Sequence, residues 1–260
     1  MLPSLRELLL DGNALLTCRG MDAHPHLQDL KLAHNALEEL GPLQLPALVG
    51  LDLANNRLRE LPDLGACALW SLSSLCLRGN LLASLGPVAS LRGLTFLDAS
   101  QNQISGLEPL LGGMLSQLQV LILAGNQIES VEGVCGTLER AGSLRLEHLD
   151  LRNNPLNLAF YPSQQLLPLW TWDADRTLAD LEMAGHARLD YQTQAVRHQY
   201  RNRLAALCPK LVSLDGILVT QLLPKPASPR SRCEEVIECS PPLLLPSPQP
   251  LPLQPQQEPA

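Results

Sequence analysis

Few residues of this 260-residue chain stand at spacings that could do chemistry. His24-Pro25-His26 has the spacing of half a metal site, but no cysteine or acid lies nearby at ligand spacing, so the pair reads as a polar loop. Cys233 and Cys239 flank Glu234, Glu235 and Glu238, an arrangement read as chance in a proline-rich setting. The sequence holds no Gly-x-Ser-x-Gly elbow, no phosphate-binding loop and no Gly-x-Gly-x-x-Gly opening a helix. No catalytic residue, cofactor or metal ion is therefore expected. Pro226-Ala227-Ser228-Pro229 and Pro252-Leu253-Gln254-Pro255 match the bare pattern of aromatic-groove ligands, but a solvated linker of this composition produces such matches by accident. Ser228, Ser240 and Ser247 each precede a proline and are candidate phosphorylation sites.

What remains is recognition chemistry, and the elements that would position it repeat. The phrase Leu-x-x-Leu-x-Leu-x-x-Asn occurs seven times, closing at Asn13, Asn35, Asn56, Asn80, Asn102, Asn126 and Asn154. Successive asparagines are 22, 21, 24, 22, 24 and 28 residues apart, and the fifth copy carries Ala99 in place of a leucine. Such a period predicts an α/β solenoid of stacked coils, an architecture that presents a binding surface. Within each phrase the alternation of leucines predicts a short strand, its leucines facing inward, stacked in parallel on the next about 4.8 Å away. The asparagine side chain can donate to backbone carbonyls and accept from a backbone N–H inside the coil. Segments such as Gly41-Pro42-Leu43 and Gly86-Pro87-Val88 return as 3₁₀ or single helical turns. The 28-residue gap leaves room for a helix over 134–141.

Composition limits the partner. Net charge is −7 and aromatic content 3%, so leucine builds the core and a nucleic-acid backbone is not a direct partner. The seven scattered cysteines point to a reducing compartment. No secretion signal and no apolar run of about 18–20 residues is visible, so no membrane contact and a cytoplasmic location are expected.

Three regions follow: repeats over 1–156, an aromatic insertion with a helix over 157–220, and a proline-rich tail over 221–260. The insertion carries Phe160, Tyr161, Trp170 and Trp172. A helix is expected from about Arg176 to Leu207, with Asp173 or Asp175 as its cap. Val196, Tyr200, Leu204 and Leu207 should face inward, with Arg197, Arg201 and Arg203 between them. Eleven prolines in 224–260 predict disorder or local polyproline II. At the other end the first repeat begins almost at once. An uncapped solenoid end exposes leucines and a strand edge, so the chain is expected to be a fragment or short isoform, or to have a partner that covers the edge; with the edge uncovered a monomer is expected.

The repeats resemble the short intracellular class of leucine-rich repeat. The segment from Tyr200-Arg201 through Pro209, Leu211, Leu214, Asp215 and Gly216 is similar to the C-terminal cap of that class, with Cys208 where a leucine is usual. The cap is shared by a protein phosphatase 1 regulatory subunit, the spliceosomal A-prime protein, an axonemal dynein light chain and ciliary and centrosomal proteins. Asn154-Pro155-Leu156 with Phe160-Tyr161-Pro162 is similar to fungal spindle-pole scaffolds of the septation and mitotic-exit pathways. The resemblance implies a parallel concave sheet, convex 3₁₀ and short helices, a helical cap and a non-enzymatic scaffold binding a protein partner at cytoskeletal, centrosomal or ciliary structures. A phosphatase regulatory subunit and a nuclear ribonucleoprotein component remain alternatives.

The residues between the leucines should lie on the concave face. Phe96, Val120 and Ile122 form an expected exposed apolar centre, and Arg78, Asp98, Asp150, Arg152 and Asp52 a charged rim, with His148 beside them. The expected footprint covers repeats four to seven.

Overall fold

The computed structural model describes residues 4–21, 24–111, 117–141, 145–158 and 191–219, all within one compact unit, Met1–Pro224. Each repeat supplies one three-residue strand: β1 (Glu7–Leu9), β2 (Asp29–Lys31), β3 (Gly50–Asp52), β4 (Ser74–Cys76), β5 (Phe96–Asp98), β6 (Val120–Ile122) and β7 (His148–Asp150). They pair in parallel and in chain order, with each central leucine opposite the next, as Leu30 is to Leu51. This is a leucine-rich repeat solenoid. The convex return runs are 3₁₀ turns at Gly86–Ser90, Glu108–Leu111 and Pro155–Asn157. One apolar core, mostly leucine, runs from Cys18 to Ile217.

The asparagines tie coil to coil. Asn56 Nδ2 donates to Leu32 O at 2.9 Å and Leu53 O at 3.0 Å, while its Oδ1 accepts from Leu37 N at 3.1 Å. Asn35, Asn80, Asn102, Asn126 and Asn154 repeat this pattern. Asn13 departs from expectation. It is exposed, and its side chain donates only within its own coil, to Asp11 O. No described coil precedes it to offer a carbonyl. β1 accordingly ends the sheet, with Leu5, Leu8 and Leu10 only partly buried and Leu9 56% exposed.

Helix α1 (Val131–Ala141) occupies the long return of the sixth coil and starts three residues before the expected 134. Ser130 is the reason: its Oγ accepts from Gly133 N at 2.9 Å and caps the first turn. Helix α2 (Tyr191–Leu207) packs beside α1, with Arg203 3.3 Å from Glu132. Residues 176–190 of the expected helix, its expected caps, the four aromatics of the insertion and the tail lie outside the described residues. The face of α2 differs from expectation. Arg197, Tyr200, Arg201 and Leu204 are buried, whereas Val196 is 50% exposed. The contact of Tyr200 and Leu204 with the end of the stack sets the helix phase, and this rotates the buried arc toward Arg201 and turns Val196 out. No helix among the described residues is long and apolar enough to cross a membrane.

After α2 the chain adds β8 (Ser213–Leu214) parallel to β7, then β9 (Ile217–Leu218) antiparallel to β8. The two linking residues, Asp215 (φ 55°) and Gly216 (φ 78°), form the two-residue hairpin turn that Asp-Gly favours. Asp215 Oδ1 accepts from Leu151 N at 2.8 Å and Oδ2 from Tyr200 OH at 3.0 Å. Burial, then the nearby Asp150 charge, push its carboxyl up from the ordinary range. Leu211 and Leu214 are buried; Pro209 is exposed at the end of α2.

Removing a ladder asparagine strands one buried N–H and breaks two further buried hydrogen bonds. Asn102→Ala leaves Leu82 N without its acceptor and takes one of two asparagine donors from each of Leu77 O and Ala99 O, which keep Asn80 and Asn126. It should lower unfolding free energy by about 3 kcal/mol or more in urea titration, while Asn13→Ala should stay within about 0.5 kcal/mol. Equal losses would show that the ladder does not hold the coils.

Candidate functional site

The structure divides the expected patch. Phe96 and Val120 are half-buried on the open face of the sheet, but Ile122 is only 3% exposed and is not part of an exposed centre. Asp98 is 0% and Asp150 3% exposed, so neither forms a solvated rim. The third strand position explains this, because an aspartate there folds back over its own turn. Asp52, Asp98 and Asp150 each accept at Oδ1 from the N–H two residues on, in Ala54, Ser100 and Arg152, at 2.9, 2.9 and 3.0 Å. Ile122 lies between Asp98 and Asp150 in register and is covered with them. Burial raises the Asp98 carboxyl above its ordinary range, opposed by the Ser100 N–H and the Arg78 charge.

Arg152 also turns inward. Its Nε donates to Asp150 Oδ1 at 3.0 Å and its terminal nitrogen reaches Oδ2 at 2.7 Å. His148 Nδ1 lies 3.0 Å from Ser213 Oγ, and burial lowers its pKa, so it serves the β7–β8 junction as a neutral ring.

A feature absent from the sequence reading lies one residue before each asparagine. Gly12, His34, Asn55, Gly79, Gln101, Gly125 and Asn153 all have φ between 54° and 70°. Every coil turns through the left-handed region there, which glycine and asparagine tolerate best. Gly-Asn in three copies and Asn-Asn in two were the available signal. His34 and Gln101 are the departures. A left-handed conformation costs a side-chain-bearing residue roughly 1–2 kcal/mol.

Those side chains face one concavity. A hollow of about 730 Å³ lies across β2–β5, with His34, Asn55 and Gln101 on one side and Phe96 at its end. It overlaps the expected footprint of coils four to seven only at coils four and five, where Arg78 and Phe96 belong to both. Small residues make it: Gly50 and Ser74 in one column, Ala33 and Ala54 in another. At Gly50 a Cβ would stand 2.6 Å from Asp29 Oδ1, so the missing side chain makes room for that carboxylate. Asn55 Nδ2 lies 3.3 Å from His34 Nε2 and donates to it when the ring proton is on Nδ1. Asp29, Lys31, Asp52 and Arg78 bring mixed charge to the wall and floor.

No family model matches the chain. The septation initiation network scaffold protein cdc11 of Schizosaccharomyces pombe is 30% identical over 150 residues, which cover 51% of this chain and 14% of that protein. The chain therefore spans about a seventh of that relative's length. Among solved structures, internalin C2 of Listeria monocytogenes has 22% identity and TM-score 0.43, covering 57% of this chain and 72% of that one. The internalin inlF of the same organism has 26% identity and TM-score 0.38, covering 50% and 43%. YopM of Yersinia enterocolitica has 28% identity and TM-score 0.39, covering 54% and 27%.

The hollow holds one thiol, Cys76. Burial first, then the negative potential of Asp98 and Asp52, push its thiol up to about 12. A thiol so placed stays protonated at neutral pH and is a poor nucleophile. Among the described residues no group of three or more His, Cys, Asp or Glu side chains could hold a metal ion. At pH 8, iodoacetamide should label Cys76 at least about ten-fold more slowly than free cysteine, since only a small fraction is thiolate. Peptide mapping by mass spectrometry measures this, and rapid labelling would show a reactive thiol instead.

Proposed function

We propose that this chain is a non-enzymatic protein-interaction module that receives a segment of a partner protein in the hollow across β2–β5. One observation carries the reading. The repeat gives up side-chain volume at Gly50, Ser74, Ala33 and Ala54, yet keeps large side chains at the strained left-handed positions His34 and Gln101 that border the space. Strain kept beside a hollow is a mark of function rather than of folding economy. Phe96 offers a half-buried apolar anchor at the end of the hollow, and its neighbours on the wall are polar. The protonated Cys76 thiol supports binding over covalent chemistry.

The scaffold named above supports a place for the chain in a cytoplasmic, cytoskeletal assembly over the phosphatase-regulator and ribonucleoprotein readings. The net charge of −7 is unfavourable for direct contact with nucleic acid.

The test is to fill the hollow without disturbing the coil. Ser74→Trp places a ring over its floor, Phe96→Ala removes its anchor, and Glu60→Arg changes an exposed site away from the strands. Proteins captured by the unmodified chain from cells should fall at least about ten-fold with Ser74→Trp. They should weaken by about 1–4 kcal/mol with Phe96→Ala, and remain with Glu60→Arg. Capture that survives both hollow variants would place the interface elsewhere and overturn the reading.

A further inference from the structure

Two arginines hold the same place in different coils and meet different fates. Arg152 and Arg78 each follow the third strand residue by two, in β7 and β4. In the seventh coil that third residue is Asp150, and the Arg152 guanidinium closes on it at 2.7–3.2 Å. In the fourth coil it is Cys76, which offers no carboxylate and remains a neutral thiol. The lateral neighbours do not replace it. Asp52 Oδ1 accepts from Ala54 N, and Asp98 Oδ1 from Ser100 N. The other Asp98 oxygen is buried with no hydrogen-bond partner, so the Arg78 guanidinium acts on Asp98 through its charge and not through a hydrogen bond. Among the described residues Arg78 closes no ion pair and donates no side-chain hydrogen bond. It is half-buried on the floor of the hollow, a planar fork with its donors unused.

We propose that Arg78 is the specificity-determining residue of the hollow and takes the carboxylate of an Asp or Glu side chain on an extended partner segment, which lies across β2–β5 with an apolar residue against Phe96. The inference rests on the hollow being the docking face. Charge complementarity selects the partner's chemistry. A bidentate carboxylate supplies the geometry that Asp150 supplies to Arg152, and a half-buried site strengthens such a pair relative to open water. Lys31, exposed on the same wall, adds positive potential on the approach. Asp29 and Asp52 flank the site and disfavour a second acid beside the first, so one acidic residue within an otherwise neutral segment is the expected pattern.

The fourth coil can be made to satisfy Arg78 from within. Cys76→Asp restores the residue that β3, β5 and β7 already carry at that position, and so offers Arg78 an internal partner. The test uses the full chain and a displayed library of random twelve-residue peptides. Peptides selected by the unmodified chain should be enriched in a single Asp or Glu. Their affinity should fall at least ten-fold with Cys76→Asp and with Arg78→Met, each checked by circular dichroism for an unchanged fold. Selection on Arg78→Glu should shift enrichment to Lys and Arg. If peptides are lost with Ser74→Trp but show no acidic enrichment and tolerate both Cys76→Asp and Arg78→Met, the inference fails and the docking face stands. If peptides bind undiminished to Ser74→Trp, the docking face fails with it. A selection that returns no binder also overturns the inference.

Discussion

The constraint on which the rest depends is a backbone problem. Each coil leaves its strand and turns inward, so carbonyls such as Leu32 O, Leu53 O and Leu77 O point into the interior rather than at a neighbouring strand. Amides such as Leu37 N, Leu58 N and Leu82 N do the same from the other side. A buried peptide group without a partner costs about 1–3 kcal/mol, and the stack presents several per coil. One asparagine amide answers donor and acceptor needs together, because its nitrogen donates to two coils and its oxygen accepts from the earlier one. The coil cannot lengthen freely at this point, which is why the strand-to-turn phrase holds its spacing while the convex return varies. The left-handed residue before each asparagine belongs to the same solution. It swings the chain so that the amide points inward.

The two ends show the same requirement under different conditions. At the first strand no described coil offers a carbonyl, and Asn13 lies exposed with one bond inside its own coil. At the seventh coil the ladder passes to residues outside the repeated phrase. Asn157 is fully buried and donates to Leu151 O, and Asp215 accepts from Leu151 N while Tyr200 donates to its other oxygen. The hairpin turn at Asp215-Gly216 thus completes the hydrogen bonds of the last coil and ends the sheet in one short segment.

The leucines and asparagines were legible because a repeated structural demand selects one residue type each time. Much of the rest was not, for reasons that differ by residue. The left-handed position accepts glycine, asparagine, histidine and glutamine in turn, so no single type marks it. Arg197 and Arg201 sit on the buried arc of α2, where composition argues for a solvated face. Ile122 and Asp98 were expected exposed and are buried, because strand alternation tells which side a residue takes and not what its neighbours cover. The hollow is made by Gly50, Ala33 and Ala54, and side chains that are missing from a surface leave no pattern of their own.

A repeat protein therefore conceals its function in its exceptions. Where every coil must solve the same backbone problem, residues that agree with the phrase are accounted for by the stack. Those that depart from it call for another reason. Ala99 departs inside the core and is fully buried, so its account is one of packing. Cys76 stands on the open face, in the position where β3, β5 and β7 use aspartate to cap the turn and β1, β2 and β6 carry Leu9, Lys31 and Ile122. The coil keeps that contact through a weaker acceptor, the Cys76 sulfur facing the Arg78 N–H, but lacks the carboxylate that Asp150 provides for Arg152. The fourth coil instead holds a neutral thiol beside an open guanidinium, at the floor of a hollow bordered by strained side chains. Departures that coincide in space are more economically explained by a shared partner than by separate accidents of packing.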